Sequence, residues 1–328
     1  MDQMHKFVDF PCIIPTIVED YLRMHTHFIR LFYNLGINKL IFIGPAALKS
    51  YIDKDISDNL FGGYHVEFLD ESSLLELKAL KPTYDNIFRN SNSEAPSSIN
   101  WYYQQFLKMA YSRICLEDYY LCWDSDTIPL RPITMFNPDG IPYLDVKTEF
   151  QNSYFLTIEK LFHSRKIIEK SFISEHMLFN TTLMQKMLKE IENTELAGIS
   201  FGEKILSAVG SDNLRCGFSE FETYGTFIGL KYPAAYKIRN WFSFRNANFF
   251  VDINDLNDDD VQWLSKDYDA ATFEKYQPAQ DFLTENFRNP RYREKLTPKQ
   301  FYLSILESGI LGDYENGMLR IDDRYYPV

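Results

Sequence analysis

The chain has 328 residues, 45% of them hydrophobic, 16% aromatic and 24% charged, with a net charge of −12. That much apolar material supports a sizeable core, in one large domain or two intimately joined ones. The acidic balance excludes a general attraction for nucleic acid or anionic lipid, so an anionic substrate must be held locally, by a metal or a few basic side chains. Cys12, Cys115, Cys122 and Cys216 lack zinc-type spacing and read as reduced core residues. Met1 to Lys6 lacks the form of a signal peptide, and no run approaches the roughly eighteen apolar residues of a membrane span. The expectation is a cytoplasmic chain, with any membrane contact peripheral, at the inner face.

In chain order, Phe7 to Pro15 reads as a buried strand and Tyr21 to Leu35 as a helix stopped by Gly36. Lys39 to Ile43 is a second strand, Ala46 to Ile52 a short helix, and His65 to Asp70 a third strand. Glu71 to Ser73 leads into a helix through Leu80. A polar loop, Arg89 to Ser98, precedes a helix from Trp101 to Leu116. Tyr119 to Trp123 is then an apolar strand that ends in Asp124-Ser125-Asp126. Strands alternating with helices predict an α/β fold with a mainly parallel sheet flanked by helices.

The second half is less regular. Gly140 to Val146 reads as a strand, Ile158 to Lys170 as a helix, and Leu183 to Ile191 as a helix capped by Asn180 or Thr181. Ser200 to Val209 is another helix. Phe218 to Leu230 and Asn248 to Val251 read as strand-like, Tyr224-Gly225 as a turn, and Asp258 to Asp260 as a solvated helix start. The expected division is 1–250 (halves 1–130 and 131–250) followed by a helical C-terminal extension, 251–328.

Two aspartates at i and i+2 where a strand ends can both turn toward a cation and its phosphate ligand, since hard divalent ions take oxygen donors. Asp and Ser also make ordinary turns. Position favours the first reading, because ligands of such sheets bind beyond the carboxyl ends of the strands. Glu220 and Glu222, also at i and i+2, project to one face if their segment is a strand, and a carboxylate there can take a proton from a hydroxyl nucleophile. Glu220 ranks ahead of Glu222 for that role. Trp101, Tyr102, Tyr103, Trp241, Phe242 and Phe244 lie next to polar loops, where rings can stack on sugar C–H faces, with Gln104 and Gln105 beside the first three. Lys108, Arg239, Arg245 and Asn246 are candidates for phosphate oxygens, Arg245 first among the last three.

Four phrases in this order carry a resemblance: WYYQQFLK (101–108), WDSDT (123–127), SEHMLFN (174–180) and FSEFETYG (218–225). Together with the strand–helix alternation they resemble bacterial glycosyltransferases of the GT-A (Rossmann-like) fold that carry an Asp-x-Asp motif, of the kind found in capsule and lipopolysaccharide synthesis. The resemblance spans about residues 10 to 245 and implies a Mn²⁺ or Mg²⁺ ion binding the diphosphate of a nucleotide sugar, a UDP-sugar first. It implies Asp126 as direct metal ligand, with Asp124 on a metal-bound water or the ribose. Pro15, Thr16, Glu19 and Asp70 fall where nucleobase and ribose are held. It further implies His176 in the metal shell or on a phosphate, Glu175 on sugar hydroxyls, and a glycan or lipid-linked acceptor. Many such enzymes place a third ligand, often His, near the C-terminus; here the last histidine is His176.

A sugar nucleotidyltransferase is a rival, but its usual Gly-rich loop after the first strand is replaced here by Thr16-Ile17-Val18-Glu19-Asp20. A non-catalytic carbohydrate-binding protein on the same fold and a two-carboxylate hydrolase compete with it.

Overall fold

A computed structural model describes residues 9–91, 96–148, 150–315, 318–321 and 324–327. The expected strand start at Phe7 and Val8, the centre of the polar loop (92–95) and Asp322, Asp323 and Val328 lie outside the described residues. The chain divides into two compact units: Met1–Val18, Ile37–Ser125 and Met135–Asn240 form one, Glu19–Gly36, Asp126–Thr134 and Trp241–Val328 the other. The division falls inside the Asp-Ser-Asp run.

The first unit is built on five strands: β1 (Pro11–Pro15), β2 (Lys39–Gly44), β3 (His65–Asp70), β4 (Tyr119–Trp123) and β5 (His176–Asn180), in the order β3-β2-β1-β4-β5. The first four are parallel; β5 runs antiparallel to β4, with Trp123 opposite His176. The expected α/β fold with a mainly parallel, helix-flanked sheet is what the molecule adopts. β1 is buried along its whole length, as befits a central strand whose sequence is a continuous apolar run rather than an alternation.

Helix Ile99–Ala110 packs one face of this sheet and is buried from Tyr102 to Ala110 except at Gln104. Phe106 meets Phe201 at 5.8 Å and Phe218 at 5.7 Å between ring centroids. The segment read as strand-like from Phe218 is instead helix Glu220–Lys231, capped by the Ser219 side chain, which accepts the Glu222 N–H. Tyr224-Gly225 is therefore no turn. A Cβ at Gly225 would lie 2.3 Å from the Phe172 ring, so this helix can approach Phe172 only with glycine there.

The second unit holds helix Ile29–Leu35, ended by Gly36 at φ 63°, and the strands Thr127–Pro129, Ala270–Thr272 and Ser243–Phe244 in one small sheet. The helix expected from Tyr21 to Leu35 is broken by a 3-10 turn at His25–His27, where two His and a β-branched Thr weaken it. Asn248 to Val251 is helical over Ala247–Phe250 rather than a strand. Phe244, Phe250, Trp263, Phe287 and Phe301 form its aromatic core. Asp260, expected in a solvated helix start, is fully buried and paired with Arg288 (2.8 Å) and Arg293 (2.5 Å), whereas Asp258 and Asp259 do face solvent. The C-terminal region is not helical throughout: Asp313–Glu315, Met318–Ile321 and Arg324–Pro327 form an antiparallel sheet.

Candidate active site at the carboxyl edge of the sheet

The strand order reverses at β1: β2 and β3 build outward on one side and β4 on the other. At such a switch point the connections leaving the carboxyl ends diverge and open a crevice, which is where open α/β sheets bind ligands. Pro15 and Thr16, Gly44, Asp70 and Asp124 all follow parallel strands and so lie on that one edge. The loop after β1 is pinned there. Thr16 donates its N–H to the Ile43 carbonyl at 2.8 Å, and a Cβ at Gly44 would collide with the Thr16 carbonyl at 2.3 Å.

The centre of this edge is an ion triplet. Lys108, 4% exposed, reaches from its helix to Asp124 at 2.6 Å and to Glu220 at 2.5 Å. Helical side chains lean toward the N-terminus of their helix, so Lys108 can extend along the strand toward the residue after Trp123. Burial works against its charge, but the two carboxylates outweigh this and hold the ammonium above the ordinary lysine range. The Glu220 carboxyl is pushed up, by burial first, while Lys108 pulls it down and Asp124 adds a push upward. Gln105, one turn before Lys108, accepts the backbone N–H of Glu220 and fixes the start of that helix.

This differs from the sequence expectation in defined ways. Lys108 is occupied by carboxylates rather than open to phosphate. Gln105 and Tyr102 are buried, the Tyr102 hydroxyl donating to the Leu214 carbonyl at 2.8 Å, so neither is presented to a sugar. Trp101 is partly exposed, edge-on to Tyr102. Glu222 does not share a face with Glu220. Two residues apart on a helix they diverge, and the Glu222 carboxylate accepts from Ser171 Oγ (2.8 Å) and the Phe172 N–H (3.0 Å). Asp70 accepts from the Ser72 hydroxyl and N–H, which hold its carboxyl below the usual range.

Glu175 and His176 stand where β5 begins, on the same edge, and the Asp124 N–H donates to the Glu175 carbonyl at 2.9 Å. Glu175 is 3% exposed with its carboxylate on Lys147 at 2.7 Å. His176 lies against the Trp123 ring and is held at both nitrogens, Nδ1 by the Ser174 carbonyl (2.8 Å) and Nε2 by Asp145 (2.9 Å). Asp145 also receives two Arg239 bonds of 2.6 Å. Burial pushes the Asp145 carboxyl up, but Arg239 and His176 outweigh it and hold the group below the usual range. Both ring nitrogens of His176 thus face oxygen atoms of the protein itself, a backbone carbonyl on one side and a carboxylate on the other. His176 is therefore engaged within the fold at both ring nitrogens, and Arg239 is engaged by a carboxylate. Lys147 and Asp145 were missed in the sequence, where nothing but their placement after and within a short strand marks them.

In the second unit, the Asp126 carbonyl accepts the Phe273 N–H at 2.8 Å, and Thr127 and Thr272 hydroxyls meet at 2.9 Å. Arg245 pairs with Glu274 at 3.3 Å. The Tyr276 hydroxyl is pushed up by desolvation first and by Glu274 next, with a smaller push from Asp126. Glu19 lies 3.7 Å from Lys275, and Asn246 is buried, donating to the Tyr302 hydroxyl.

Among the described residues no group of three or more His, Cys, Asp or Glu side chains is placed to hold a metal ion. A site completed by substrate needs fewer: Mg²⁺ is commonly held by one or two carboxylates plus substrate phosphates and water. Asp124 and Asp126, two apart in the chain and both partly exposed, fit that donor chemistry.

Residues 54–287 match one protein-family model. The chain belongs to DUF6492, a family of unknown function. A comparison with curated proteins found no match. Among solved structures, this DUF6492 chain is similar to mouse xyloside xylosyltransferase 1 (14% identity, 83% of this chain and 100% of that one, TM-score 0.44). It is also similar to the galactosyltransferase LgtC in complex with donor and acceptor sugar analogs (11%, 88% and 100%, TM-score 0.40). A further likeness is to a glucose-1-phosphate thymidylyltransferase from Bacillus anthracis (8%, 71% and 86%, TM-score 0.33). No helix among the described residues is long and apolar enough to cross a membrane.

Proposed function

We propose that this chain is a metal-dependent glycosyltransferase that takes a nucleotide-sugar donor, a UDP-sugar first, and passes the sugar to a glycan or lipid-linked acceptor, in the setting of surface polysaccharide synthesis. The observation that carries the reading is the Lys108–Asp124–Glu220 triplet at the carboxyl edge of the sheet. Burying the Lys108–Glu220 pair is costly, and such perturbed groups cluster at functional sites.

In this reading Asp124 and Asp126 hold Mn²⁺ or Mg²⁺ together with the donor diphosphate. The ion supplies positive charge where negative charge develops on the leaving nucleoside diphosphate. In this reading Glu220 is the carboxylate that takes the acceptor hydroxyl proton: burial pushes its carboxyl up, which strengthens it as a base, and Lys108, bonded to it and to Asp124, favours its charged form against that burial. Asp70 and the loop anchored by the buried Pro15 and Thr16 are the proposed surface for nucleobase and ribose, and Trp101 offers a partly exposed ring for a sugar face. Glu222, turned to Ser171 and Phe172, takes no part. A hydrolase with a dyad of acid and base is disfavoured, because Glu220 and Glu222 point to different partners and Glu220 and Asp124 share one cation.

The test is UDP release from UDP-sugars with Mn²⁺, with and without EDTA. Release abolished by EDTA, and by Asp126→Ala in a folded protein, supports the reading. Absence of both release and UDP binding overturns it.

A further inference from the structure

We propose that Lys147 and Glu175 form a positioning pair that fixes the main chain of Asp124, and that Glu175 is not a ligand for sugar hydroxyls. The functional weight of this pair rests on the reading of Asp124 given above; the structural part does not.

Glu175 has φ 59°, a left-handed conformation that its Cβ disfavours. Among the described residues two other non-glycine residues share that conformation, Asn59 at φ 58° and His163 at φ 53°. Both are exposed and follow helices, where such turns are ordinary. Glu175 is buried and leads into a strand. A strained buried residue persists only where its surroundings over-determine it, and such residues gather at functional sites.

A bracket of contacts on both sides does this. The Glu175 carboxylate is held by Lys147 at 2.7 Å. Lys147 is itself tied by its main chain to Ser171, donating at 2.9 Å and accepting at 3.0 Å, and Ser171 donates its hydroxyl to Glu222. On the far side, Ser174 bonds the His176 main chain at 2.8 Å while its carbonyl holds the His176 ring. The product of this bracket is the Glu175 carbonyl, which accepts the Asp124 N–H at 2.9 Å beyond the last paired residues of β4 and β5. Asp124 otherwise stands on a strand end whose side chain is 32% exposed. The pair thus acts through the backbone of Asp124, with its two side chains bonded to each other.

The experiment is amide hydrogen exchange, resolved by residue, on the full-length protein and on Lys147→Met, Lys147→Arg and Glu175→Gly. Lys147→Met is expected to speed exchange at Asp124 by about ten-fold or more while Ile41, in β2, keeps its wild-type rate, a local opening rather than global loss. Lys147→Arg keeps the ion pair and restores the wild-type rate. Glu175→Gly removes the carboxylate but suits the left-handed backbone, so its effect at Asp124 is smaller than that of Lys147→Met. Unchanged exchange at Asp124 in Lys147→Met overturns the proposal, as does equal acceleration at Asp124 and Ile41. Calorimetry with UDP and Mn²⁺ is the second reading: weaker binding in Lys147→Met with wild-type binding in Lys147→Arg is expected, and unchanged binding in Lys147→Met overturns the link to Asp124. If wild-type protein binds no UDP, the glycosyltransferase reading fails while the exchange experiment still decides the positioning role.

Discussion

Replacing Lys108 by methionine keeps the apolar stem of the side chain and removes the one charge between Asp124 and Glu220. With contacts of 2.6 and 2.5 Å and an effective dielectric of about 20, each arm is worth about 6 kcal/mol before desolvation. Desolvation of the ions cancels much of this, and removal of one partner from a buried pair leaves a net loss of about 3–5 kcal/mol. The loss falls mainly on Glu220, whose side chain is 4% exposed, because water reaches the 32% exposed Asp124. It also carries a pH signature. Glu220 binds its proton more tightly in the native state than when unfolded, so stability associated with its neutral form is present at low pH and is lost as pH rises through the native value. Without Lys108 that value climbs further, so the deficit of the variant is smallest in acid and grows as pH rises toward neutrality. Lys108, held above the ordinary lysine range, contributes fully below about pH 10.5, so its own titration adds no slope near neutrality. Urea unfolding across that pH range measures the effect. Adding Glu220→Gln to Lys108→Met is expected to recover at least half the loss, since the orphaned charge is gone. A deficit below about 1 kcal/mol at pH 7, no larger than an ordinary surface change, or one that is constant with pH, refutes the reasoning.

Gly225→Ala places a Cβ 2.3 Å from the Phe172 ring; overpacking of about 1–3 kcal/mol exceeds the roughly 1 kcal/mol gained in helix propensity, and in a Phe172→Ala background, which lacks the clashing ring atoms, the same substitution should no longer lower the melting temperature. Asp260→Asn leaves Arg288 and Arg293 around a neutral buried group and is expected to cost about 3 kcal/mol in calorimetry. Asp145, held below the usual carboxylate range, contributes stability above its unfolded value and loses it as pH falls through the native one. The acid unfolding transition of Asp145→Asn should therefore be shallower than that of wild type, as followed by circular dichroism.

The parallel half of the fold was legible because its strands are short apolar runs bounded by Gly, Pro and Asp, and its helices are amphipathic enough to show their period. The position of Asp124 at a strand end followed from that alone. What escaped is what burial hides. Glu220–Lys231 is buried on almost every side, so it has no polar face and no helical period to read, and its Phe, Tyr, Thr and Ile residues favour a strand by propensity. The signal that could have corrected it is Ser219 followed three residues later by Glu222, the S-x-x-E pattern of a helix start. Reading that pattern as a helix separates the two glutamates, because residues two apart diverge around a helix and converge on a strand. It also leaves Glu220 in the first turn, where the unpaired N–H groups favour an acidic side chain. In the same way, Gln105 and Lys108 at i and i+3 share a face of a largely buried helix. A lysine on such a face must find a carboxylate, and the chain offers one at each of the two positions that the sequence had marked for chemistry, Asp124 and Glu220.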